Sequence, residues 1–137
     1  MHVNDPQTIA RIRRESKTWA VVGCSPDPER ASHRIAAYLQ GLGYRIIPVN
    51  PLADGSILGA PVVAHLGELT EPIDVVDVFR RSSEAGAVVD QAIAVGAKAV
   101  WLQLGVVDEQ AAARAVAAGL DVVMDTCPKM EFPYLPD

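Results

Sequence analysis

Three features of this 137-residue chain predict one fold class, a single three-layer α/β domain doubly wound around a mostly parallel sheet. Gly43, Gly96 and Gly119 each close a stretch with helical apolar spacing. Each is followed at once by a short apolar run that reads as a strand. Glycine in that place ends a helix in the left-handed conformation, so the pattern is the αβ connection of a parallel sheet used three times. The strands are continuous apolar runs, as expected where helices cover both faces. The architecture is Rossmann-like. Residues 1–137 read as one domain, with 1–17 a helical N-terminal extension and 126–137 a C-terminal tail.

The elements follow in order. Asp5-Pro6 places an N-cap before a proline at the first helical position, so a helix is expected over Gln7–Ser16. Trp19–Gly23 is a buried strand ending at glycine, and Cys24–Ala31 a loop with two prolines. Ser32 is expected to cap a helix in which Ile35, Leu39 and Leu42 keep helical spacing and which Gly43 stops. Arg45–Val49 is the next strand, with Pro48 close to its end, where a lost N–H costs least. Asn50-Pro51 breaks it, and residues 52–61 form a glycine-containing loop. Pro61–Ala64 reads as a short strand, His65–Leu69 as a helical turn and Ile73–Phe79 as a strong strand. Ser82 or Ser83 is expected to cap a helix carrying Ala85, Val88, Val89, Ala92 and Ile93 on one face. Ala99–Leu102 is a strand, Asp108 caps a helix through Ala118, and Asp121–Met124 is the last strand. The tail from Thr126 carries three prolines and is expected to lie over the surface.

Composition bounds the function. Half the chain is hydrophobic and the net charge is -5. That acidity argues against nucleic acid, whose phosphates demand a basic face. It leaves room for a small anionic ligand held by local cations and helix N-termini. Cys24 and Cys127 lie far apart without metal-ligand spacing, so no metal is expected and a reducing cytoplasm fits. Met1–Lys17 has no apolar core of a signal peptide, and no run approaches the roughly 18 apolar residues of a membrane span.

A ligand of such a sheet binds beyond the C-terminal strand ends, where strand order reverses. The loops there are 23–32, 49–56, 79–83 and 103–108. In the first, Gly23, Ser25, Arg30 and Ser32 lead into a helix N-terminus that suits a phosphate. A nicotinamide-dinucleotide fingerprint would read G-x-G-x-x-G, but Gly23, Ser25 and Pro28 stand in the three glycine places. The second strand ends in Asn50-Pro51 rather than in the acid that reads ribose hydroxyls. A ligand with a phosphorylated ribose tolerates Asn50 better and needs a cation, for which Arg30, Arg34 and Arg45 are candidates. Phe79-Arg80-Arg81 is suited to line a ligand channel and pair with anions. Gln103 is suited to donate to a ligand amide or carbonyl, or to satisfy its own loop.

At this point the residues resemble a family. Val22–Pro26, Ala31–Arg34 and Gly43–Pro51 are similar to blocks of the CoA-binding-domain proteins of the YccU type. The similarity continues through Ile73–Arg81, Val100–Gly105 and Asp121–Cys127, and covers about Thr18 to Glu131. The family resembles the CoA-binding domain of the succinyl-CoA synthetase α chain, standing alone. The resemblance implies that the first loop, with Gly23, Cys24, Ser25 and Pro26, holds the CoA phosphates. It implies that Val49, Asn50 and Pro51 face the adenosine and that the pantetheine arm runs past Val78, Phe79 and Arg80. Where the family pattern often has a lysine after the Asn-Pro pair, this chain has Leu52, which shifts the basic contact to Arg30 and Arg34.

Other residues read as structural. No acid or nucleophile is spaced to orient His33 or His65 for catalysis. Asp74 and Asp77, three apart on a strand, point to opposite faces, and Asp77 is expected to be a buried, hydrogen-bonded acid. Trp101 is expected in the core. Cys24 either fills a tight turn or faces the CoA thiol, and Cys127 has no assigned place. The expectation is a CoA- or acyl-CoA-binding protein without catalytic machinery of its own. An NAD(P)-dependent enzyme or a regulatory Rossmann domain is the alternative, and a homodimer or protein partner stays open. Gly23→Val is expected to abolish binding and spare the fold.

Overall fold

The glycine stops behave as the pattern requires. Gly43, Gly96 and Gly119 have φ of 98, 75 and 89°. The residue after each donates its N–H to the carbonyl five residues back: Tyr44 to Leu39, Ala97 to Ala92 and Leu120 to Ala115. The computed structural model describes residues 3–135, so the outermost ends of the expected domain, Pro136 among them, lie outside the described residues.

The chain runs α1 (Pro6–Glu15), β1 (Thr18–Val22), α2 (Ala31–Gly41) and β2 (Arg45–Val49). A small hairpin of β3 (Ser56–Ile57) and β4 (Ala60–Pro61) and a 3-10 turn (Leu66–Glu68) follow. Then come β5 (Val75–Val78), α3 (Ser82–Ala94), β6 (Ala99–Leu102), α4 (Glu109–Ala117), β7 (Asp121–Met124), α5 (Pro128–Glu131) and a 3-10 turn (Phe132–Tyr134). The main sheet has the order β2-β1-β5-β6-β7, with every neighbouring pair parallel.

Alternate residues of each strand feed opposite layers. Trp19 and Val21 of β1 pack with Ile9 and Ile12 of α1 and Ile35 and Leu39 of α2. Ala20 and Val22 pack with Val88 and Val89 of α3 and Ala111 and Ala115 of α4. The doubly wound three-layer class expected from the sequence is the one observed.

Several local expectations change. The residues before α2 and α3 are Arg30 and Arg81, neither with a side-chain cap, so the serines are not the caps. Ser32 instead accepts from Ser25 N (3.0 Å), and Ser82 accepts from Val107 N (2.9 Å). Both hydroxyls tie down a neighbouring loop. Asp5 and Asp108 do cap, accepting from Gln7 N and Ala111 N. The strand expected over Ile73–Phe79 shortens to β5. The one expected over Pro61–Ala64 splits between β4 and a bridge of Val63 to Val49 along the outer edge of β2. Pro48 is tolerated because β2 is an edge strand, and its carbonyl accepts from Val63 N.

The C-terminal segment does more than lie over the surface. Phe132 is buried, with its ring 6.2 Å from Trp19 and 5.7 Å from Trp101, both edge-on. Trp101 is in the core as expected, and its Nε1 donates to Thr126 O at 3.0 Å.

Candidate functional site at the strand-order reversal

The chain leaves β1 for β2 on one side and returns as β5 on the other, so β1 and β5 flank the point of reversal. Their ends are locked together. Phe79 N donates to Val22 O (2.9 Å) and Gly23 N to Val49 O (2.8 Å). Gly23 has φ +89°, and a β-carbon there would stand 2.2 Å from Phe79 O. The requirement for glycine therefore comes from the neighbouring strand. Gly23→Val is therefore expected to disturb the fold, which corrects the expectation from sequence, where the close approach was assigned to the ligand.

Above this junction opens a cleft of about 680 Å³. Of the expected site residues, Gly23, Ser25, Arg30, Ser32, Phe79, Arg80 and Gln103 line it. Ala31, Ile35, Arg81, Leu104, Val106 and Cys127 complete the wall. Arg81 and Leu104 were within the loops the reversal rule marks. Ile35 and Cys127 carried no local signal, because they reach the cleft only through helix packing and the course of the chain after β7.

The other expected residues fall away from the wall for identifiable reasons. Cys24 is fully buried, packed with Trp19, Ile35 and Ala36 on the α2 side of the sheet. Val49 and Val78 are core residues of the opposite face. Asn50 is occupied by its own chain: its Nδ2 donates to Cys24 O (2.9 Å) and its Oδ1 accepts from Leu52 N (2.9 Å). Pro26 and Pro51 are exposed and do not line the cleft. Arg34 turns back to donate to Glu29 O. Arg45 lies at the far end of β2, paired with Glu71.

Electrostatically the cleft is open to anions. Helices α2 and α3 begin beside it with no side-chain cap, and among the described residues the N–H groups of Ala31, Ser32, Ser82 and Ser83 keep no hydrogen-bond partner. Among the described residues none of Arg30, Arg80 and Arg81 pairs with a carboxylate. His33 is structural, with Nδ1 3.0 Å from Ser25 O, and His65 is exposed at the start of the 3-10 turn. Among the described residues no group of His, Cys, Asp and Glu is placed to hold a metal, and no helix is long and apolar enough to cross a membrane.

Beneath the floor is Asp77, fully buried, accepting from Gln103 Nε2 through Oδ1. Burial pushes its carboxyl up to about 8, a rise that the Gln103 hydrogen bond only partly offsets. Burial thus disfavours the ionised form of Asp77 beneath the cleft. Burial, and then Asp77 nearby, pushes the Cys24 thiol up to about 11. Asp74 lies on the other side of the pleat, accepting from Lys17 N and Thr18 N, so the two acids form no pair.

A model of the CoA-binding domain matches residues 17–133. The chain belongs to this CoA-binding domain family. It is 42% identical over 122 residues to the uncharacterized protein YneT of Bacillus subtilis strain 168, covering 89% of this chain and 90% of that one. The structure of cell-free ID.343 from Thermus thermophilus superposes with a TM-score of 0.90 at 35% identity, covering 96% of this chain and 99% of that one. A hypothetical protein from Pyrococcus horikoshii OT3 superposes with a TM-score of 0.90 at 33% identity, covering 98% and 96%. All three likenesses span nearly the whole of both chains.

Proposed function

We propose that this CoA-binding domain holds coenzyme A, free or acylated, in the cleft over Gly23 and Phe79, and has no catalytic machinery of its own there. The observation that carries the reading is the pair of long helices, α2 and α3, opening on the cleft uncapped and each behind an arginine. Such helix starts supply N–H donors and a partial positive charge to phosphate. In this reading the diphosphate sits at Ser25, Arg30 and Ser32, and the adenosine lies toward β2. The pantetheine arm crosses Phe79 and Arg80 toward Gln103. Asn50 supports a ligand other than NAD, since it is not an acid and its side chain is committed to Cys24 and Leu52. The chain acts as one folded unit in the cytoplasm.

A thermal-shift panel of CoA, acetyl-CoA, NAD, NADP and ATP tests this. Ligand at a hundred times its Kd stabilises by about 2.7 kcal/mol, a shift of several degrees. CoA and acetyl-CoA are expected to give that shift. An equal or larger shift with NAD points to the nicotinamide class, and no shift with any of the five points to a protein-binding role.

A further inference from the structure

Among the described residues Gln103 is the one polar side chain in the cleft wall that is both buried and held by a buried acid. It is 4% exposed, at the C-terminal end of β6, and it lines the cleft. Its Nε2 donates to Asp77 Oδ1. An amide has one donor end and one acceptor end, so tying Nε2 down leaves Oε1 for the cleft. Among the described residues Oε1 has no hydrogen-bond partner, yet it is not sealed in. Among those residues, the one buried side-chain oxygen without a partner is Oδ2 of the same Asp77. Asp77 is walled in by strand neighbours that offer it nothing, Val21 and Trp101 beside it in the sheet. A fully buried acid left half-satisfied is costly. Its remaining bond, from Gln103 Nε2 to Oδ1, is what turns the donor end of the amide toward the acid.

We propose that Gln103 reads the arm of the ligand, its Oε1 accepting the N–H of the pantetheine amide nearer the thiol, with Asp77 as the positioning residue. The proposal rests on the CoA reading and adds to it a contact that recognises the arm rather than the nucleotide. Reach selects the amide. From the end of β1 to the end of β6 is two strand spacings, about 10 Å. Along an extended arm the first amide lies within about 7 Å of the diphosphate and the second within about 12 Å. Sequence reasoning had offered Gln103 to the ligand as a donor, and the bond to Asp77 reverses that role.

Calorimetric titration of the wild type and Gln103→Met with two probes tests it: CoA, and 3′-phosphoadenosine 5′-diphosphate, which lacks the arm. Gln103→Met is expected to weaken CoA about 5- to 10-fold, the worth of one neutral hydrogen bond, and to leave the armless probe unchanged. Unchanged CoA affinity, or an equal loss for both probes, overturns the proposal while the CoA reading stands. A wild type that binds neither probe overturns both. A second measurement needs no variant: a CoA analogue with that amide replaced by an ester is expected to bind the wild type about 5- to 10-fold more weakly than CoA, and equal binding overturns the contact. For Asp77, the leucine variant is expected to repeat the CoA-specific loss and Asp77→Asn, which keeps an acceptor for Nε2, to rescue it. If both bind CoA like the wild type, Asp77 does not position the amide.

Discussion

Helices α1 and α4 begin with an aspartate whose carboxylate accepts a first-turn N–H, whereas α2 and α3 begin with an arginine and no such bond. The first pair is closed by its own chain. The second pair stands at the reversal of strand order, beside the cleft in which we propose that a ligand anion binds. The same division appears in the charges. At the N-terminal edge of the sheet Arg11 pairs with Asp121, Lys98 with Asp74 and Arg45 with Glu71. At the C-terminal edge Arg30, Arg80 and Arg81 face the cleft unpaired among the described residues. An acidic protein thus keeps a local cationic site by pairing its charges elsewhere. Stability at the closed ends and binding at the open ends are then separable by mutation.

The largest effect is expected where the two strands flanking the open helices meet. Gly23→Val adds a β-carbon against Phe79 O and forces a branched residue to φ +89°. Strain and overpacking together are expected to cost about 3–5 kcal/mol. A circular-dichroism melt of the ligand-free variant that matches the wild type would show that the junction can yield, and would return Gly23 to a purely ligand-facing role.

Next is the buried acid beneath the open ends. The folded-state value of Asp77 is raised above its ordinary 3.8, so between about pH 4 and 8 the native state holds the extra proton. Stability therefore falls as pH rises through that window, by roughly 1.4 kcal/mol per unit, or about 2–3 kcal/mol from pH 5 to 7. Urea melts of the wild type and Asp77→Asn across that range check the sign. The Asn variant is expected to lose this slope, and an unchanged slope would assign it to other groups.

Arg30→Ala tests the open end itself. It is expected to weaken CoA by about 1.5–3 kcal/mol, as for a lost charge-assisted bond, with little change in melting temperature. Dephospho-CoA measured alongside separates two positions: a smaller loss puts Arg30 at the ribose phosphate, an equal loss at the diphosphate. No loss for either ligand would make it a solvated charge. The smallest effect belongs to the closed end, where Asp108→Ala is expected to cost about 1 kcal/mol of stability and leave CoA affinity unchanged. A drop in affinity there would break the division between closed and open helices.

Local chemistry made most of the fold legible. Glycine at 43, 96 and 119, aspartate at 5 and 108 and the continuous apolar runs act on backbone within a few residues, so order along the chain is enough to read them. The loops of the candidate site were legible for the same reason, through the rule that ligands gather at the strand-order reversal. Which side chains of those loops face the cleft was not. Asn50 is held by Cys24 O, 26 residues away, and Gln103 by Asp77, also 26 away. Gly23 is required by Phe79, and Phe132 is drawn in between Trp19 and Trp101. Even the serines expected as caps are claimed by loops, Ser32 by Ser25 N and Ser82 by Val107 N. The sequence by itself determined the main helices, the five strands of the parallel sheet and the edge at which the cleft opens, because those follow from torsional preference and apolar periodicity. Tertiary structure alone decided which polar groups remain free there, because a hydrogen bond depends on distance in space and each group can be spent only on what packing brings within about 3 Å.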